Sequence, residues 1–190
     1  MKHLLFTLTF FFTLSAFSQD NKRPFTKTLI VKTNLLNLLA HRPTITIEKP
    51  FSNTFSAEVS FVQGEANKLF AEDYHYDYNG FLIRAKKYLD ELEFGEFSSY
   101  VALYIGNLKR NIESSGQSLL GVEIIPSRNF SANSIRTGGS LGLTFIGKKK
   151  LVIDGLFSLG YGRYVKYYKC ENDSKGYLDC QVWLSIGYCF

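Results

Sequence analysis

The side chains best equipped for chemistry are ionic and few. Lys32, Arg84 and Lys86 stand against Glu48, Glu58 and Asp154, three cations to three carboxylates. Each occupies an alternate position in a segment where apolar and polar residues alternate, so all six fall on polar faces of extended chain. Such a set can pair into a closed polar core or relay protons and ions. Buried charge is tolerated when paired, which favours the first use.

Other candidates carry less. His41 and His75, the latter within Tyr74-His75-Tyr76-Asp77-Tyr78, are the histidines beyond the N-terminal segment. Either is a candidate base for hydrolysing or transferring lipid acyl chains, a reaction that needs a nucleophile within hydrogen-bond reach. No distinctive Ser or Cys motif adjoins them, and loop histidines are ordinarily solvated. The tyrosine-rich stretch suits an interface anchor or contact surface. Cys170, Cys180 and Cys189 lie near the C-terminus. In an oxidising compartment Cys170 and Cys180 are candidates for a disulfide closing the last loop, leaving Cys189 over; three separate thiols are the alternative. Their spacing, with no adjacent His, gives no zinc site, and no cofactor is expected.

The elements that must position these groups follow from composition and period. The chain has 190 residues, 45% hydrophobic and 21% charged, which suits one domain and excludes a disordered one. Its 17 Phe and 12 Tyr against one Trp and one Met favour strands. A mean hydropathy of −0.06 argues against a polytopic helical membrane protein. Residues 1–18 read as a secretory leader: Lys2 and His3, an apolar run from Leu4 to Leu14, then Ala16-Phe17-Ser18. The run is too short for a stop-transfer helix. Cleavage there removes Lys2, lowers the net charge of +5 by one to +4, and leaves 19–190 as a single barrel domain.

Beyond Gln19 no apolar run approaches the ~18 residues of a transmembrane helix. Period-two segments recur instead, at 28–36, 43–49, 54–63, 80–89, 97–106, 136–146, 150–164 and 178–190. The stretch 117–125 also has strand character and is assigned to a hairpin within a long loop. Short turns at 50–53, 90–96 and 147–149 alternate with longer connections at 64–79, 107–135 and 165–177. That asymmetry belongs to outer-membrane barrels. The expected fold is an all-β, eight-stranded antiparallel up-and-down transmembrane β-barrel.

Alternation equally serves a soluble barrel with its apolar face inward. Three features favour the membrane. Glycines on the polar face, at Gly138, Gly142, Gly160 and Gly162, suit a narrow interior. Strands of about ten tilted residues cover a hydrocarbon band of roughly 25 Å. Aromatics gather at strand ends as two girdles: Phe51, Phe55, Tyr88, Tyr188 and Phe190 at one, Phe61, Phe81, Tyr161, Tyr164, Tyr167 and Tyr168 at the other.

The terminal stretch QVWLSIGYCF, with Val182, Leu184, Ile186, Tyr188 and Phe190 on one face, resembles the C-terminal assembly signal of bacterial outer-membrane barrels. KTNLL at 32–36, GFLIRAKKYL at 80–89, and GGSLGLTFI followed by LVIDGLFSLGYGRY are similar to a family of small OmpA-like barrels of unassigned function common in Bacteroidetes. The resemblance implies a bacterial outer-membrane location and the barrel assembly machinery as a partner, but no activity. It departs in the long third loop and the cysteines.

Lys109, Arg110, Arg163, Lys166 and Lys169 are expected near the outer leaflet, beside lipid or lipopolysaccharide phosphates, ordinary solvated charge being the alternative. Nucleic acid is not an expected partner of an exported chain, and a monomer is expected. The leading expectation is a closed-interior barrel with a structural or surface-interaction role through its loops. The alternatives are a lipid-modifying hydrolase and a soluble exported barrel binding an apolar ligand.

Overall fold

The structure, a computed structural model, describes residues 23–24, 29–38, 44–67, 75–114, 117–119, 122–125, 128–169 and 175–190. The leader at 1–18, His41 and Cys170 lie outside the described residues.

Eight strands close into a ring. They are β1 (Ile30–Asn34), β2 (Ile45–Ser52), β3 (Phe55–Asn67), β4 (His75–Tyr88), β5 (Phe97–Ser114), β6 (Arg128–Ile146), β7 (Leu151–Lys169) and β8 (Gly176–Cys189). Each pairs antiparallel with its sequence neighbour, and β8 closes on β1 from Ser185 opposite Asn34 to Cys189 opposite Ile30. The fold is an all-β, up-and-down barrel, which leaves no open sheet edge along the closed part of the wall.

The even strand count sorts the connections to two ends. At the turn end Lys150, at φ 67°, completes a tight turn in which its N–H donates to the Gly147 carbonyl at 2.8 Å. Leu92 folds inward from the β4–β5 turn and is buried with Ile30, Ile146, Val152 and Cys189, an apolar floor to the barrel.

Two expectations from the sequence change, and a third holds. The long connections are shorter than the period suggested, because β5 runs on to Ser114, β6 starts at Arg128 and β7 reaches Lys169. Cross-strand contacts sustain that pairing: Phe130 packs edge-on to Tyr164 at 5.1 Å, and Lys109 and Lys166 flank the Tyr168 ring, each 5.0 Å from its centroid. As expected of this stretch, Gln117–Leu119 pairs with Val122–Ile125 in a two-stranded sheet of their own, outside the barrel sheet. The first strand stops early: the Asn34 side chain accepts the Leu36 N–H at 3.0 Å and caps the single helical turn α1 (Leu35–Leu38). Because β1 ends at Asn34 and β2 begins at Ile45, β8 from Gly176 to Leu184 has no strand beside it on that flank among the described residues.

Burial is inverted relative to a soluble protein. Leu103 is 74% exposed and Lys32 only 3%. Ile45, Ile83, Leu141, Phe157 and Leu184 face outward, whereas Thr46, Ser60, Arg84, Ser140 and Ser158 are buried. Exposed Phe51, Phe55, Phe97, Tyr188 and Phe190 ring the turn end. Tyr88 and Tyr164 are not girdle residues. Tyr88 shares a face with Lys86 two positions back and is buried, and Tyr164, two positions after Gly162, turns toward the lumen and is half-buried.

Candidate functional site

The lumen holds the chemistry. Lys32 comes from β1, Glu48 from β2, Glu58 from β3, Arg84 and Lys86 from β4, and Asp154 from β7, so the structure brings all six together. Lys32 Nζ donates to Glu48 Oε2 at 2.6 Å, to Glu58 Oε2 at 2.8 Å and to Asp154 Oδ2. Lys86 Nζ contacts the same three oxygens at 3.1, 2.8 and 2.8 Å. Two ammonium groups thus lie among three carboxylates and share one oxygen of each.

The remaining oxygens are also taken. Glu48 Oε1 accepts from Ser56 Oγ at 2.5 Å and Tyr88 Oη at 2.7 Å. Glu58 Oε1 accepts from Arg84 Nη1 at 2.6 Å, and Asp154 Oδ1 from Tyr100 Oη at 2.8 Å. Every carboxylate oxygen has a donor, which is the condition under which buried ions persist. The carboxylates approach within 4.8 Å of one another, as metal ligands would, but the two ammonium groups and the Arg84 guanidinium together already neutralise them.

Neighbouring strands provide the room. A Cβ added at Gly142 would lie 2.3 Å from Tyr100 Cζ, and one at Gly160 2.3 Å from Tyr104 Oη. The glycines are spaces into which tyrosine rings from β5 lie across the lumen. Arg84 rests over the Trp183 ring, 4.2 Å from its centroid, and Lys86 over Tyr100 at 4.4 Å.

A second layer lies toward the hairpin end. Asp179 Oδ2 accepts from Tyr104 Oη at 2.9 Å and Gln181 Nε2 at 2.6 Å, and Arg136 Nη1 approaches its Oδ1 at 3.7 Å. Ser134 Oγ lies 3.0 Å from Tyr177 Oη. Sequence reasoning missed Arg136 and Asp179, although each continues an alternation already read: Arg136 two residues before Gly138, Asp179 two before Gln181.

The other expected residues are dispersed. Val182, Leu184, Tyr188 and Phe190 are exposed on the outer wall, and Ile186 beside them is half-buried. Lys109, Arg163, Lys166 and Lys169 are exposed or half-exposed near the hairpin end, with Lys169 Nζ 3.2 Å from Glu113 Oε1. Arg110 does not join them. As the neighbour of outward-facing Lys109 it must turn inward, and it lies 3.6 Å from the Tyr177 ring centroid. His75 begins β4, opposite Asn67 and Glu113. Cys180 is exposed on β8.

No family model and no curated protein matches the chain. Solved structures do. Neisserial surface protein A is 9% identical over 85% of this chain and 93% of its own, with a TM-score of 0.48. Ail, the attachment invasion locus protein of Yersinia pestis, is 17% identical over 86% of this chain and 94% of its own, at 0.39. Ail as an outer membrane protein in a phospholipid bilayer nanodisc is 17% identical over 87% and 100%, at 0.43.

Proposed function

We infer that the chain is a bacterial outer-membrane barrel with a closed polar interior, acting as a monomer in a structural or surface-interaction role rather than as an enzyme. One observation carries the reading: the outer wall is a continuous apolar belt while the lumen holds charge. Ile47, Phe61, Ile83, Leu103, Ile105 and Leu141 are all exposed. In water such a belt is an aggregation surface; in lipid it is the ordinary exterior of a barrel. Lumen charges at this density leave little for an apolar ligand to bind, which weighs against a soluble carrier.

The same geometry supports the rest. The ionic core and its tyrosines span the lumen of a barrel whose strand number leaves a bore just wide enough for side chains, so solutes have no open path. Tyr188 on the exposed face of β8, with exposed Phe190 just beyond it, offers the assembly machinery a recognition strand. Lys109, Arg163, Lys166 and Lys169 meet phosphates of lipid or lipopolysaccharide at the outer leaflet, and the hairpins beyond them carry the contact surface.

Leu103→Arg tests the membrane reading. In a membrane barrel it costs about 2–4 kcal/mol near the midplane, seen as a lowered urea midpoint in bilayers and reduced recovery in the outer-membrane fraction. A water-exposed residue would tolerate the change with no loss. Wild-type protein that is recovered without detergent, and whose electrophoretic mobility does not depend on heating, would refute the reading.

A further inference from the structure

The lumen is saturated at one level and unsaturated at the next. A cavity of about 290 Å³ opens toward the hairpin end, lined by Tyr78, Arg110, Arg136, Asp179, Gln181 and Trp183 among others. That is near the small end of ligand pockets, roughly 300–1,000 Å³. Arg136 is 4% exposed. Its Nη1 is turned to Asp179, but at 3.7 Å the contact is an ion pair and not a hydrogen bond. Its Nε and Nη2, the two parallel donors along one edge of the planar guanidinium, have no acceptor. Arg110 sits over the Tyr177 ring, 3.6 Å from its centroid, and its Nε likewise has none.

The charges point the same way. Among the described residues the buried ionic groups cancel: Lys32, Arg84, Lys86 and Arg136 against Glu48, Glu58, Asp154 and Asp179. Half-buried Arg110, facing the same cavity, adds a positive charge to that balanced set. Two parallel N–H groups on a planar cation match two oxygens of one oxyanion, and a second guanidinium suits a group with further oxygens and further charge.

We propose that this cavity is a binding site for a phosphate group, taken in a fork by Arg136 once its buried, unpartnered Nε–Nη2 edge turns to the cavity, and neutralised by Arg110. The group arrives as free phosphate or as the headgroup of an anionic lipid. The site requires the folded barrel and not its membrane location, so heat-dependent mobility checks the fold separately.

Trp183 is the chain's single Trp and lines the cavity, which makes its fluorescence an occupancy signal. Detergent-folded protein is titrated at constant ionic strength with inorganic phosphate and, separately, with dihexanoyl phosphatidic acid, chloride serving as the balancing anion. A saturable change with phosphate identifies a diffusible anion; a change with the lipid alone identifies a headgroup. Arg136→Lys keeps the charge and loses the fork, and is expected to weaken binding about tenfold or more. Arg110→Gln, at the half-buried mouth, is expected to weaken it similarly, and decides the matter should Arg136→Lys lose heat-dependent mobility. No saturable change with either probe, or unaltered binding in the folded variants, would overturn the proposal.

Discussion

The two levels of the lumen are built from the same residue types to different ends. Around Lys32 and Lys86 every carboxylate oxygen has a donor and each ammonium touches three acids. Around Arg136 one carboxylate, Asp179, already accepts from a phenol and an amide, and guanidinium donors are left over. A compact ammonium can sit among three oxygens, whereas a planar fork is satisfied only by partners along its edges. The lower level is therefore structural, and the upper level has spare capacity.

Breaking the lower level should have the largest effect. Lys32→Met leaves three carboxylates sharing one ammonium and the Arg84 guanidinium, and should cost about 3–5 kcal/mol, as expected when one partner of a buried ionic set is removed. The urea midpoint of the detergent-folded barrel measures it. Next comes the space that lets tyrosines cross the lumen. Gly142→Val places side-chain atoms where Tyr100 lies and should cost about 1–3 kcal/mol by the same assay, with Tyr100→Ala in the same chain restoring part of the loss.

The upper level should respond less. Arg136→Met removes donors that lack acceptors and also the ion-pair partner of Asp179, which keeps Tyr104 and Gln181, so stability should fall by about 1–2 kcal/mol, less than for Lys32→Met. A loss equal to that of Lys32→Met would erase the distinction between the levels. Smallest of all is Lys169→Ala at the exposed pair with Glu113, at most about 0.5 kcal/mol and abolished by salt. A larger effect would mean that the hairpin end contributes rigidity that its exposure does not suggest.

Much of the lower level was legible from the period of two. Lys32, Glu48, Glu58, Arg84, Lys86 and Asp154 need only the parity of their strands to be placed on one face, and a ring of eight then confronts them across a narrow bore. The same parity, carried one step further, would have turned Tyr88 inward after Lys86, Arg110 inward after Leu108 and Asp179 inward before Gln181. Arg110 falls in 107–135, whose charge and polarity look like loop although the strand runs on through it; Tyr88 and Asp179 fall within period-two segments, where an aromatic ring near a strand end suits an interface as well as a lumen. The early end of β1 was not legible. It depends on a local competition in which Asn34 caps a helical turn rather than continuing the ladder, and nothing in the alternation of KTNLL announces that outcome.

The ancestry of the ionic core along the chain has a consequence for assembly. Strands β1 to β4 supply Lys32, Glu48, Glu58, Arg84 and Lys86, one positive charge in excess; the missing acid, Asp154, is 122 residues from Lys32. A partly zipped sheet made of the first half of the chain carries an unbalanced clasp. Neutrality arrives only as β7 and β8 swing round to meet β1 at the seam, so a misregistered closure by one residue would turn Asp154 to the apolar outer wall and leave the clasp unfastened.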